Sequence, residues 1–308
     1  MWFKNLYIYR FTKPFEMGFE SLDTALSQAQ FKPCGPHDTY QLGWSSPLGK
    51  NSEALVHVTD KYWMVCLTKQ EKILPSSVVN EQVNERAELI EQEQHRKVSR
   101  KEKSELKEQI TIELMPKAFV RTSAYYAYIC PLGGYMVVNT SSAKVADEVT
   151  SYLRKTLGSL PVRPIEVNQS PAQVMTQWLT DDTTVPQALT LGLECELKTT
   201  GEEKGQVKYK GLDLDIEQIQ QHITSGMMVE KVSASWADKI EFMLQTDLTL
   251  KRLKFTDLVQ EKFDDTNAEG AAEKFDASFA IMASEIDLLI PELLEAFGGE
   301  DRSAIIEN

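Results

Sequence analysis

Two pairs of adjacent carboxylates, Asp181-Asp182 and Asp264-Asp265, are of the residue type that holds the divalent metals of a phosphodiester-cutting centre. Each pair sits in loop-like sequence with no third ligand in reach along the chain, which favours solvated loop acids, although the fold can still bring distant carboxylates together. Gly49-Lys50 resembles the end of a phosphate loop. However, Gly43 is one residue out of register and Asn51 replaces the hydroxyl residue that would ligate magnesium. Gly43-Trp44-Ser45-Ser46-Pro47 lacks the second glycine of a nucleophile elbow. Four scattered cysteines (Cys34, Cys66, Cys130, Cys195) and four histidines (His37, His57, His95, His222) show no metal-ligand spacing, so reduced and mostly buried thiols are expected. The expectation is therefore a protein with no catalytic residues, no metal and no cofactor.

Charge is a stronger signal. Between Arg96 and Lys107 stand six cations (Arg96, Lys97, Arg100, Lys101, Lys103, Lys107) against Glu102 and Glu105. At ~100° per residue, Arg96, Arg100, Lys103 and Lys107 would fall within roughly 60° of arc on one continuous helix, a stripe able to follow a phosphate backbone. Ser99-Arg100-Lys101-Glu102 also fits a capping box, so the segment reads equally as two helices joined near Val98. In that case Arg100 and Lys101 occupy a first turn where the macrodipole disfavours cations, unless an anion binds there. The bland alternative is a water-facing helix stabilised by pairs such as Lys101 with Glu105. Further cations flank the stretch (Lys69, Lys72, Lys117, Arg121) or recur later (Lys208, Lys210). Contacts from them to phosphates would give salt-sensitive affinity and no base preference. Zinc-finger spacing, a recognition-helix signature and a ribonucleoprotein aromatic motif are all missing from the sequence, so nothing obvious carries base readout.

These side chains need elements to position them. Residues 1–11 read as a strand, 31–52 as turn-rich, and 54–58 with 62–67 as strands around Thr59-Asp60-Lys61. From 77 to 114, between Pro75 and Pro116, the chain consists of charged helix formers with sparse apolar positions (Leu89, Ile90, Val98, Leu106, Ile110), a protruding helical element. Residues 118–129 and 134–139 are strand-like, 142–157 an amphipathic helix starting at a Ser cap, 162–167 a strand and 172–179 a helix. Antiparallel strands follow at 189–198, 205–210, 227–235, 238–245 and 249–256, with a helix at 215–224 between them. Two helices, 268–282 and 284–297, close the chain. The fold class is α+β with antiparallel sheets and a protruding basic helical element. The division expected is a central region of 1–75 with 115–165, a helical finger of 76–114, and a second α+β region of 166–308 ending in acidic helices.

With 308 residues, 42% hydrophobic and 26% charged, the chain has the balance of a soluble globular protein. Neither a membrane-span-length apolar run nor a signal-peptide pattern stands in the sequence, so a cytosolic location is expected. The net charge of −13 argues by itself against a polyanionic partner. The charge is segregated, however: from Glu261 onward thirteen acids oppose three bases (Lys262, Lys274, Arg302), leaving about −3 for the first 260 residues.

Several stretches, in order, resemble the RdgC family of proteobacterial recombination-associated proteins: WFKNLYIYRFT, FKPCGPHDTYQLGW, EKILPSSVVN, the basic helix leading into LMPKAFVR, RKTLGSLPVRP, LKRLKF and LLEAFGGE. The resemblance spans essentially the whole chain. It implies a ring-shaped homodimer with a positively lined hole around duplex DNA, bound without sequence preference and with single strands as a further ligand. It also implies restraint of RecA-promoted strand exchange, nucleoid association in the cytoplasm, and no catalysis. By the same resemblance Phe119, in Met115-Pro116-Lys117-Ala118-Phe119, closes one dimer contact, where residue type alone would favour a core aromatic. The basic helix joins the lining. Lys208 and Lys210 lie near a DNA-contacting position, and Gly211 departs from the polar residue usual there. An alternative of another class is a protein-interaction regulator of a recombinase, acting through the acidic helices of 261–308.

Overall fold

The computed structural model describes residues 1–201, 205–214, 217–266, 268–303 and 305. They form two compact units: residues 1–25, 46–65 and 126–308, and residues 26–45 and 66–125.

The first unit is built on β1 (Asn5–Phe11), whose alternating aromatic and aliphatic residues bury Leu6, Ile8, Tyr9 and Phe11. Its outer half is flanked by β6 (Tyr135–Val138) and β7 (Val162–Pro164), and its start meets β12 (Leu250–Phe255). From there the sheet continues through β11 (Ile240–Gln245), β10 (Met227–Trp236), β8 (Leu189–Thr199) and β9 (Gln206–Lys210). Every one of these pairings is antiparallel, as the sequence implied. Helices α5 (Pro171–Thr180) and α6 (Glu217–Thr224) pack on β10. This unit also contains α4 (Ala143–Leu157), α7 (Asp257–Asp264), β3 (Val56–Thr59) and α8 (Ala271–Glu295). Ser142 precedes α4 as expected, but its side chain makes no capping bond. Where the sequence predicts one strand over Val162–Val167, 162–164 pair with β1 and Val167 makes an isolated antiparallel bridge to Glu300.

Where two terminal helices were expected, α8 is single and runs through Pro291. An interior proline removes a hydrogen bond and costs about 3 kcal/mol. Its apolar stripe continues on both sides, with Phe279, Met282, Ile286, Leu289, Ile290 and Leu293 all in the main core. Burying such side chains contributes roughly 1.5–3 kcal/mol each, which outweighs the break. Beyond its last residue, Glu295, the chain turns away through Gly298 and Gly299, both at positive φ.

The second unit contains β2 (Tyr40–Ser45), the outer part of β4 (Tyr62–Ile73), the first part of β5 (Phe119–Cys130), and a helical hairpin. β2 was missed, because Gly43 reads as a turn signal. Here it permits close approach instead: a Cβ at residue 43 would collide with the backbone of Phe31, and Trp44 beside it is fully buried. Helix α1 (Phe19–Ser27), shared between the two units, was likewise not read.

The hairpin is α2 (Ser76–Gln94) and α3 (Arg100–Leu114). α2 ends at His95 in the left-handed conformation, and Ser99 starts α3 with both halves of a capping box. Of the two readings of this segment, two helices is the observed one. They pack on each other through Val79, Val83, Ala87, Val98, Leu106 and Ile110, whereas Leu89 faces solvent.

Candidate nucleic-acid interface

The second unit contains ten of the twelve cations singled out by sequence: Lys69, Lys72, Arg96, Lys97, Arg100, Lys101, Lys103, Lys107, Lys117 and Arg121. Its residues sum to a formal +1, against −14 for the other unit. The single helical stripe does not survive. Arg96 lies in the loop between the helices and turns onto Glu102, with Nη1 3.0 Å and Nη2 2.6 Å from the carboxylate oxygens. Arg100, Lys103 and Lys107 stay on α3 and are exposed, and among the described residues no carboxylate pairs with them. Lys101 stands 3.9 Å from Glu105, the helical pair that the bland reading anticipated. Lys69 lies 5.5 Å over the Tyr40 ring, and Arg121 pairs with Glu71, its Nε 2.9 Å from the carboxylate.

Glu102 organises the turn. The Arg96 guanidinium, the Ser99 backbone N–H and the Ser99 hydroxyl lower its pKa from the ordinary 4.5 to about 2. A carboxylate depressed in the folded state contributes stability above its unfolded pKa and loses it as pH falls. The start of α3 is therefore expected to stay ordered above about pH 4.5 and to fray as pH drops toward 2. Amide exchange at residues 99–103 checks this.

Phe119 opens β5 at 84% exposure, so in this chain it is not the core aromatic that residue type suggested. Lys117 ends the 3-10 turn just before it. Lys208 and Lys210 lie on β9 in the first unit, beside Glu196 and Glu194 of β8 at 3.3 and 4.0 Å. Lys231 of β10 also reaches Glu196 at 3.0 Å, and Arg252 of β12 reaches Glu194 at 2.7 Å. Lys231 and Arg252 were missed by sequence reasoning. The alternation Leu193-Glu194-Cys195-Glu196-Leu197 shows that both carboxylates share a sheet face, but which strands flank it is a tertiary fact.

Carboxylate chemistry is sparse. Asp181 accepts bonds from the Thr183 N–H and hydroxyl at 3.1 and 2.6 Å, closing a 3-10 turn. Asp264 and Asp265 end α7. Among the described residues no three His, Cys, Asp or Glu side chains are grouped to hold a metal. Cys66, Cys130 and Cys195 are buried, and among the described residues the four cysteines form no disulfide. No described helix is long and apolar enough to cross a membrane.

Residues 1–300 match a family model described as "Putative exonuclease, RdgC". The chain belongs to the RdgC family. Among curated RdgC relatives named "Recombination-associated protein RdgC", that of Psychromonas ingrahamii is 43% identical over 300 residues, covering 97% of this chain and 99% of its own. That of Aeromonas hydrophila is 42% identical over 303 residues, covering 98% and 100%, and that of Pseudomonas aeruginosa 40% over 302, covering 98% of each. The chain is thus a recombination-associated RdgC-family protein over its whole matched length.

Proposed function

We propose that this protein binds duplex DNA through its phosphates without reading base sequence, acting as a ring-shaped homodimer on the nucleoid that restrains RecA-promoted strand exchange and cuts nothing. The observation that carries this reading is the concentration of cations in one unit of an otherwise acidic chain, with Arg100, Lys103 and Lys107 exposed on one helix. Arg100 and Lys101 stand in the first turn of α3, where a bound phosphate offsets the dipole penalty. The recombination-associated names of the relatives agree with a DNA ligand. Strands released from duplexes offer the same phosphates.

The test is binding of the purified chain to unrelated duplexes of equal length at several salt concentrations, with mass followed by sedimentation. Equal affinities, a steep salt slope and a dimer are expected; no binding at low salt refutes the reading. A nuclease, the activity in the family model's description, would instead show Mg²⁺-dependent cutting that is lost in Asp181→Asn or Asp264→Asn. The partner-docking alternative through residues 261–308 is weakened by how many of those acids are engaged internally. Glu285 is buried between Lys239 and Lys262, Asp287 binds Lys61 and Tyr135, and Glu292 accepts from the Trp236 indole.

Phe119→Ala is expected to weaken self-association by about tenfold or more, since burying a phenylalanine contributes roughly 1.5–3 kcal/mol. Thermal stability should barely move, because the ring is exposed within the chain. Sedimentation equilibrium of the variant decides; an unchanged dimer constant removes Phe119 from the interface.

A further inference from the structure

The turn between β5 and β6 holds out the most exposed large apolar side chain among the described residues, Leu132 at 85%. Its backbone is braced on several sides. Arg10 of β1 donates from Nη1 to the Gly133 carbonyl at 2.5 Å and to the Gly134 carbonyl at 3.3 Å, while its Nε pairs with Glu300 at 2.6 Å. The Phe11 N–H donates to the Gly134 carbonyl at 2.9 Å, and the Gly134 N–H to the Pro131 carbonyl at 3.2 Å. A leucine presented on so fixed a turn can be covered by a partner at little further cost in backbone entropy.

Beside Leu132 lies a hollow of about 410 Å³, walled by Phe11 and Pro14 and bordered by three cations, Arg10, Lys13 and Arg302, against Glu300 alone. Arg10 is engaged by Glu300 and the turn, which leaves the exposed Lys13 and Arg302 at the rim. The rest of this unit is strongly acidic, so the spot is a local reversal of charge. From Phe11 a file of rings leads away. Phe15 lies 5.1 Å from it, Trp63 of β4 a further 6.1 Å on, and Phe19 of α1 another 6.1 Å. Phe11 is buried, Phe15 and Trp63 are half-buried, and Phe19 is exposed. Apolar surface left open to water over such a length, rimmed by polar groups, marks an interaction site.

We infer that this face is a docking strip for an extended segment of a partner protein, acidic at one end and carrying alternate apolar side chains along the rest. Alternate side chains of an extended chain repeat every ~6.7 Å, close to the 6.1 Å between successive rings, so each apolar side chain meets the next ring. The acidic end reaches the hollow, where Lys13 and Arg302 receive its carboxylates and Leu132 covers the first apolar residue. Charge selects a peptide over a nucleic acid. A phosphate chain would carry its charge onward past the two cations toward the exposed Glu16 and Glu20, whereas the peptide confines its charge to one end. Partly buried aromatics with a charged rim are also the composition of protein-binding surfaces. No residue of the strip belongs to the unit that holds the hairpin cations, and the inference does not rest on the DNA-binding reading.

The test is fluorescence anisotropy of labelled peptides with the full chain. The probes are Leu-Ser-Phe-Ser-Leu preceded or followed by two aspartates, and the same pair with lysines in place of the aspartates. Saturable binding of an aspartate peptide is expected, with its lysine counterpart about tenfold weaker or more. Lys13→Glu should weaken the aspartate peptide about tenfold, whereas Lys13→Arg should keep it. Leu132→Ala and Phe19→Ala should each weaken it by about three- to tenfold. Melting temperatures should hold, because all three side chains face water. Failure of both aspartate peptides to saturate, equal affinity for the lysine peptides, or affinities within twofold of wild type in Lys13→Glu, Leu132→Ala and Phe19→Ala would overturn the inference. If a short duplex displaces the peptide and itself binds Lys13→Glu more weakly, the strip belongs to nucleic acid and the peptide assignment fails. A lower sedimentation mass in Leu132→Ala with unchanged peptide affinity would give the face to a second copy of the chain instead.

Discussion

The triple replacement Arg100→Ala, Lys101→Ala, Lys103→Ala is expected to weaken binding to every duplex by on the order of 10²-fold near 0.1 M salt, with no sequence preference gained or lost. Each phosphate contact lowers the slope of log K against log salt by about 0.9, worth nearly tenfold at that concentration. Three contacts would approach 10³-fold, and the partial engagement of Lys101 with Glu105 reduces the figure. The helix itself should persist. Alanine is the best helix former, the Ser99–Glu102 capping box is untouched, and removing cations from the first turn relieves an unfavourable interaction with the dipole. Salt titrations on several unrelated duplexes, with far-UV circular dichroism as control, decide the matter. Loss confined to one sequence would mean that bases are read.

Ile110→Ala should have the largest effect on structure. Ile110 is fully buried in a hairpin core of only six buried residues. Truncating such a side chain costs about 2–5 kcal/mol, a large share of what so small a core supplies. The expected result is local: amides of 76–114 lose protection from hydrogen exchange, while those of β1 and α8, in the other unit's core, keep theirs. DNA binding should fall at least as far as in the triple variant, this time with lost helicity. Ile112→Ala is the control. Two positions along the same helix, Ile112 is 62% exposed, and its loss should change stability by no more than about 0.5 kcal/mol. If Ile110→Ala leaves exchange at 76–114 unchanged, the hairpin draws its stability from elsewhere.

Much of the framework is local and was legible. Pro75 and Pro116 bracket the hairpin because proline cannot continue a helix, and Ser99 with Glu102 marks the start of α3 because both partners lie within four residues. The Arg96–Lys107 charge excess needs no fold to be seen. What failed did so because one signal served two physical ends. Gly43 could mark a turn or a close backbone approach, and only the neighbouring Phe31 backbone distinguishes them. Pro291 reads as a helix break until the core that holds both sides of it is assembled.

By itself, then, the sequence determined the α+β class, the antiparallel strands, the capped hairpin helix and the segregation of charge, since each depends on residues close in the chain or on composition alone. The tertiary structure decided where those charges point. It turned Arg96 back onto Glu102, left Phe119 exposed, and set Lys231 and Arg252 beside β8 carboxylates 35 and 58 residues away. Such partners are chosen by strand order and register, which follow from the burial of the whole sheet and from no short stretch of chain.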